Sequence, residues 1–282
     1  MFRAFLFIVI VFCSCFLFAE DTITDTVIID VIIPCTNKDL DTLIHCIRGI
    51  RENCVQVRRI IVVSATRLTD EAEWFAESNY PFNKNEVALK LRNDNVNDAI
   101  SFIIHPNSRL GWYYQQLLKL YSPFVISNIS SNVLILDSDT IFLNPVEFIS
   151  PDNVGLYNTG DEWILPYFVH GERLIPEFRR IFPHYSGICH HMLFQKHILE
   201  DLFKEVESNH KMEFWKAFCL SVDPNLLSGA SEYELYFNYI FSKEYPVKIR
   251  PLKWKNTPDF NAMIHYKNAG YHYISCHAWM RQ

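Results

Sequence analysis

The chain has 282 residues, with 26 Lys and Arg against 32 Asp and Glu, a net charge of −6 that offers no basic footprint for nucleic acid. Hydrophobic residues at 49% and charged residues at 21% exclude wholesale disorder. Eight glycines beside 15% aromatics exclude collagen-like and glycine-rich low-complexity chains.

Residues 4–19, AFLFIVIVFCSCFLFA, form one apolar run behind Arg3 and ahead of Glu20 and Asp21. The run falls short of the roughly 20 residues that span a bilayer comfortably. It suits a signal-peptide core with Ala19 as the cleavage residue; Leu17, two positions earlier, is not small, so an uncleaved signal anchor is the alternative. The expected organisation is a leader over residues 1–19 and a single domain over residues 25–282, exported or in the secretory lumen, anchored to the membrane if the leader stays. Cys13 and Cys15 belong to the leader. The other cysteines, Cys35, Cys46, Cys54, Cys189, Cys219 and Cys276, show no CxxC pair and no zinc-finger spacing. Their even number permits disulfides in an exported chain, but a domain of this size builds its core without staples, and they read as small buried apolar residues. Asn128-Ile129-Ser130 is a glycosylation sequon.

Residues 27–33, VIIDVII, read as a buried strand stopped by Pro34. Leu40, Leu43, Ile44, Ile47 and Ile50 recur at helical spacing over 38–52, with Thr36 or Asn37 as the cap. Residues 59–65 predict a second strand. Thr69-Asp70-Glu71 predicts the start of a short helix, and Ser101–Ile104 a third strand closed by His105-Pro106. Residues 110–121, LGWYYQQLLKLY, predict an amphipathic helix, and 133–136, VLIL, another buried strand. Alternating strands and helices predict an α/β fold with a parallel sheet covered on both faces. The second half predicts a long loop over 157–184, a strand over Ser186–Phe194, helices over 196–207, 211–219 and 231–243, and strands at Val247–Pro251 and His272–Cys276.

Ligands of parallel sheets bind beyond the carboxyl ends of the strands, where the sequence places Pro34-Cys35-Thr36-Asn37 and Asp137-Ser138-Asp139. In an extended chain, residues two apart face the same side, so Asp137 and Asp139 are expected to converge, with Ser138 facing away. Paired hard oxygen ligands suit Mg²⁺ or Mn²⁺. Such an ion can bridge a diphosphate and absorb charge on a leaving group.

The segments GWYYQQLLKL, LDSDT and SEYE, in this order, resemble those of metal-dependent, DxD-containing glycosyltransferases of the GT-A fold, in the nucleotide-diphospho-sugar transferase superfamily, with glycogenin-like enzymes as more distant relatives. The resemblance extends over most of residues 27–282. It implies a Rossmann-like, mixed and mostly parallel sheet, a nucleotide-sugar donor (UDP- or GDP-linked), a glycan, lipid or protein acceptor, and Mn²⁺ or Mg²⁺. It implies that Asp137 contacts sugar or ribose and metal, that Asp139 holds the metal, and that Ser138 lies in the donor site with them. It gives Pro34, Cys35, Thr36 and Asn37 a loop touching the nucleotide. A basic residue near the helix before the DxD strand reaches the donor in such enzymes; here Arg109 is the candidate, followed by Gln115, Gln116 and Lys119. Gln115 and Lys119 are expected on one helix face, opposite Tyr113, Leu117 and Leu120.

Tyr185-Ser186-Gly187-Ile188 resembles an N-A/S-G turn lining the donor-sugar pocket, with Tyr where Asn is usual, so Ser186 and Gly187 join the binding set. His190 and His191 are alternative ligands; on alternating sides of a strand, one is expected buried and the other exposed. Ser231-Glu232-Tyr233-Glu234 falls where glycogenin-like sequences carry D-Q-D. Glu232 and Glu234 thus become catalytic candidates for orienting or deprotonating an acceptor hydroxyl. Lying roughly 200° apart on a helix, only one is expected to face the site, Glu232 by preference. A C-terminal His completes the metal site in many such enzymes; His277 is the candidate and His265 the second, although the usual Lys-Pro-Trp segment is absent. Two rival readings are an exported carbohydrate-binding or inactive transferase-like module, and a haloacid-dehalogenase-like phosphatase, whose first motif VLILDSDTIF also fits.

Overall fold

A computed structural model of the chain describes residues 28–226 and 228–281. The expected leader over residues 1–19, with Cys13 and Cys15, lies outside the described residues. Among the described residues no helix is long and apolar enough to cross a membrane.

The elements run β1 (Ile29–Pro34), α1 (Leu40–Asn53), β2 (Val57–Ser64), β3 (Glu73–Ala76), α2 (Lys84–Leu91), α3 (Val96–Ile104), α4 (Leu110–Val125), β4 (Asn132–Leu136), β5 (Thr140–Phe142), β6 (Gly155–Tyr157), α5 (Leu165–Leu174), β7 (His191–Gln195), α6 (Lys196–His210), α7 (Phe214–Ser221), α8 (Glu232–Ser242), β8 (Val247–Ile249), β9 (Trp254–Asn256), α9 (Met263–Asn268) and β10 (Tyr273–Ser275). The main sheet has the order β3-β2-β1-β4-β7. β1 pairs in parallel with both β2 and β4, β2 in parallel with β3, and only β7 runs antiparallel, against β4. Every residue of β1, β4 and β7 is buried, so both faces of the central strands are covered. That explains the near-continuous apolar runs IDVIIP and NVLIL. This is a Rossmann-like, mixed, mostly parallel α/β sheet with helices on both faces, as expected.

The strand order reverses at β1, which makes the crevice above the carboxyl ends of β1 and β4 the topological switch point. A second sheet has the order β5-β10-β9. β10 runs antiparallel to β5, with Ser275 opposite Thr140. One step on, the Cys276 amide donates to the Asp139 carbonyl at 2.9 Å, so the residue after β10 lands beside the residue before β5. Gly49 lets α1 approach this hairpin: a Cβ there would stand 2.6 Å from the Phe142 carbonyl oxygen.

Several expected elements are corrected. Ser101–Ile104 is the last turn of α3, whose start is capped by the Asn95 side chain accepting from the Asp98 amide. Ile100, Ile103 and Ile104 are exposed, so the run buries nothing that a central strand would. Thr69-Asp70-Glu71 opens no helix: the Thr69 hydroxyl accepts from the Glu71 amide in a local turn, and β3 follows. The stretch 157–184 contains α5, which carries Pro in its first turn, where a proline costs no hydrogen bond. The strand expected over Ser186–Phe194 begins only at His191, because His190 has a left-handed φ of 64°. Neither Thr36 nor Asn37 caps α1: Thr36 precedes a short 3₁₀ turn, and no side chain caps either start. The cysteines Cys35, Cys46, Cys54, Cys189, Cys219 and Cys276 are free and buried.

Candidate active site

β4 delivers Asp137 to the crevice, and the chain then turns, the Thr140 amide donating to the Asp137 carbonyl at 3.0 Å. The segment is therefore a turn rather than an extension of the strand, and period-two alternation does not apply. Asp137 and Asp139 reach one cluster from different directions and have different partners. Ser138 is buried, close enough to Cys35, in the loop after β1, to oppose the rise that burial gives that thiol. Pro34 and Cys35 are buried in that loop, while Thr36 and Asn37 are exposed at its rim.

Lys119, from the third turn of α4, is 3% exposed. Its ammonium donates to Asp137 Oδ1 at 2.5 Å, Glu232 Oε1 at 2.6 Å and the Tyr233 hydroxyl at 3.1 Å. Three donors meet three acceptors, which leaves none for a phosphate. Lys119 thus lies with Leu117 and Leu120 inside the protein, not on a face opposite them. Gln116 is buried too. Its amide nitrogen donates to the Ala230 carbonyl at 3.3 Å, and its amide oxygen accepts from the Glu232 backbone amide at 3.1 Å. It fastens the start of α8 instead of facing a ligand. Gln115 is only partly buried. Arg109 is exposed at the start of α4, with its guanidinium 4.8 Å from the Trp112 ring centroid.

α8 begins under the Ser231 cap, whose hydroxyl accepts from the Glu234 amide at 3.3 Å. Both glutamates are buried and diverge as helical spacing requires. Glu232 enters the cluster. Glu234 accepts from the Ser186 hydroxyl at 2.5 Å and from Asn238 Nδ2 at 2.7 Å, and so holds the Ser186-Gly187 turn. Burial raises the pKa of both; Lys119 opposes the shift at Glu232, and Ser186 opposes it at Glu234. At Lys119, burial works against the charge and the Asp137 and Glu232 carboxylates outweigh it, so its pKa lies above the ordinary lysine value.

On the other side, Asp139 Oδ2 lies 3.0 Å from His277 Nδ1, and Asp139 Oδ1 accepts from the Ser275 hydroxyl at 3.1 Å. Burial acts to raise the Asp139 pKa, but His277 and Ser275 hold it below the usual carboxylate value. The reciprocal effect of Asp139 overcomes burial and raises His277. His190 and His191 are both buried, contrary to the expected split. His191 packs among Phe142, Phe148 and Tyr273 and donates from Nδ1 to the Cys189 carbonyl at 3.0 Å. His190 belongs to the cluster: its Nδ1 is 3.9 Å from Asp137 Oδ2, its ring is 4.6 Å from that of His277, and its Nε2 is buried without a partner. Desolvation, reinforced by His277, pushes its pKa down to about 4. A non-glycine residue held at positive φ beside such a cluster is the kind of strain that functional sites retain. His265 is exposed on α9, away from these contacts.

The cluster therefore gathers Asp137, Asp139, Glu232, Lys119, His190 and His277, with Lys119 between two of its three carboxylates and His277 beside the third. Two carboxylates and two imidazoles are the donor types that suit Mn²⁺, and the orphaned His190 Nε2 is a further polar atom in need of a partner. The fit is one of kind. Among the described residues no three His, Cys, Asp or Glu side chains are arranged to enclose an ion. One Asp137 oxygen is held by Lys119, and Asp139 is held by His277 and Ser275. The sequence signal for Ser275 was its place two residues before His277, at the end of a short strand. The role of Lys119 had no signal, because an i,i+4 pattern does not say which helix face a tertiary partner will cover.

No protein-family model matches the chain, and no curated protein matches it. Among solved structures, the apo form of mouse xyloside xylosyltransferase 1 aligns over 88% of this chain and 96% of its own, with 8% identity and a TM-score of 0.39. That likeness is too loose to carry fold or function across.

Proposed function

We propose that the protein is a glycosyltransferase that moves a sugar from a nucleotide-diphosphate donor, UDP- or GDP-linked, to a glycan, lipid or protein acceptor. The observation behind this reading is the excess of carboxylates over cations in a crevice at the switch point of a mostly parallel sheet. An anionic diphosphate can enter such a crevice only with a cation. Asp139, His277 and the second oxygen of Asp137 would hold Mn²⁺ or Mg²⁺. The ion would supply charge neutralisation at the diphosphate as the glycosidic bond breaks. The loop Pro34–Asn37 would receive the nucleotide, and the Ser186-Gly187 turn the donor sugar. Glu232 would orient or deprotonate the acceptor hydroxyl; burial raises its pKa, which favours accepting a proton at neutral pH.

The test is release of nucleoside diphosphate from a panel of UDP- and GDP-sugars, with and without Mn²⁺. The reading expects metal-dependent release from one donor class, lost in Asp139→Asn with the fold preserved. Release from none of them, or full release in the variant, would remove it.

A further inference from the structure

A cavity of about 440 Å³ opens between the start of α5 and the segment that leads to the Ser186-Gly187 turn, lined by Trp163, Leu165, Phe168, Glu172, Arg180 and Pro183. Trp163 and Leu165 are both more than half exposed, at 55% and 54%. Large apolar side chains left open beside a cavity commonly mark a ligand surface. Arg180 lies between two rings, 5.9 Å from the Trp163 centroid and 5.8 Å from that of Phe168. Arg180 and Glu172 both line the cavity, setting a guanidinium donor and a carboxylate acceptor beside the rings.

Two charge interactions place the cavity near the candidate site. Trp163 follows Glu162, whose carboxyl feels the charge of His277. Arg180 acts electrostatically on Glu234, which holds the Ser186-Gly187 turn.

We propose that this cavity is the acceptor subsite and that its ligand is a pyranoside, a reading that rests on the proposed transferase function. A pyranose presents an apolar C–H face, which suits the exposed Trp163 ring. Around its edge it presents hydroxyls that both donate and accept, which suits a lining that holds the Arg180 guanidinium and the Glu172 carboxylate together. A purely apolar guest would use neither charge, and a simple anion would not use the open indole.

The test is saturation-transfer NMR and calorimetry with methyl β-D-glucopyranoside, methyl β-D-galactopyranoside and methyl β-D-xylopyranoside, on wild type, Trp163→Ala and Arg180→Gln. UDP and GDP binding with Mn²⁺ is measured in parallel. At least one glycoside is expected to bind, about fivefold or more weakly in each variant, the loss of roughly one stacking contact, with nucleotide binding unchanged. Binding of none of the three, or equal binding to wild type and Trp163→Ala, would overturn the subsite. If neither nucleotide binds while glycoside binding still depends on Trp163, the transferase reading fails and the saccharide cavity stands.

Discussion

At the scale of single residues, the feature that organises the site is a lysine that never meets solvent. Lys119 joins the strand-end turn to α8 by holding Asp137 and Glu232 at once. Removing one partner of a buried ion pair leaves an uncompensated charge and costs roughly 3–5 kcal/mol. Lys119→Met is therefore expected to lower unfolding stability by about that much in chemical denaturation. Lys119→Met/Glu232→Gln is expected to recover part of the loss, because the second change removes one orphaned charge. A single variant as stable as wild type would show that the ammonium is dispensable. The DxD signature and His277 were legible as sequence because they directly follow the apolar run VLIL and the short run HYISC. Lys119 and Gln116 were read as ligand contacts because their polarity was visible and their burial was not. Only the docking of α8 against α4 makes them internal.

At the scale of elements, a close approach of the Ser186-Gly187 turn to α8 positions the site. At Gly187, a Cβ would lie 2.5 Å from Phe237 Cβ and 2.6 Å from the Tyr233 carbonyl oxygen. The turn that Glu234 holds is thus pressed onto α8. Gly187→Ala is expected to destabilise by about 1–3 kcal/mol through overpacking, and to weaken donor binding more than the more remote Asn83→Ala does. Asn83 forms a capping box with Glu86 at the start of α2, so its loss is expected to cost about 1 kcal/mol with binding unchanged. Denaturation and nucleotide titration on both variants separate the two effects. The long central elements β1, α1, β2, α4, β4, α6 and α8 follow from apolar periodicity. Of the short ones, β8 and β10 fall within expected strands, whereas β5 and β9 do not: they have three residues each, too few to show a period, and they exist because both pair with β10. α3 was misread because SFII is β-branched and apolar, while its cap, Asn95, lies six residues upstream.

At the scale of the molecule, buried neutral histidines set the acid limit of stability. Burial pushes His170 down to about 4 and His191 to about 3. In the unfolded chain both return to the ordinary value of about 6.5. A group whose folded pKa is depressed binds more protons when unfolded, so its contribution is complete above pH 6.5 and is lost as pH falls towards the folded value. Between pH 7 and pH 5 each is expected to cost about 2 kcal/mol. The His277–Asp139 pair runs the other way for the imidazole: with His277 raised, its contribution is present below the ordinary histidine value and fades as pH rises through the folded one. A melting temperature that falls steeply below pH 6.5 in wild type, and less steeply in His191→Gln, is the expected pattern; identical acid limbs would contradict it.

The most direct test of the whole account is a thermal-shift panel of UDP, GDP, CDP and ADP, with and without Mn²⁺, on wild type and Asp139→Ala. A ligand that binds only the folded state raises the melting temperature by mass action. The account predicts a shift for UDP or GDP that needs both Mn²⁺ and Asp139. No shift with any nucleotide, or one indifferent to both the metal and Asp139, would contradict it.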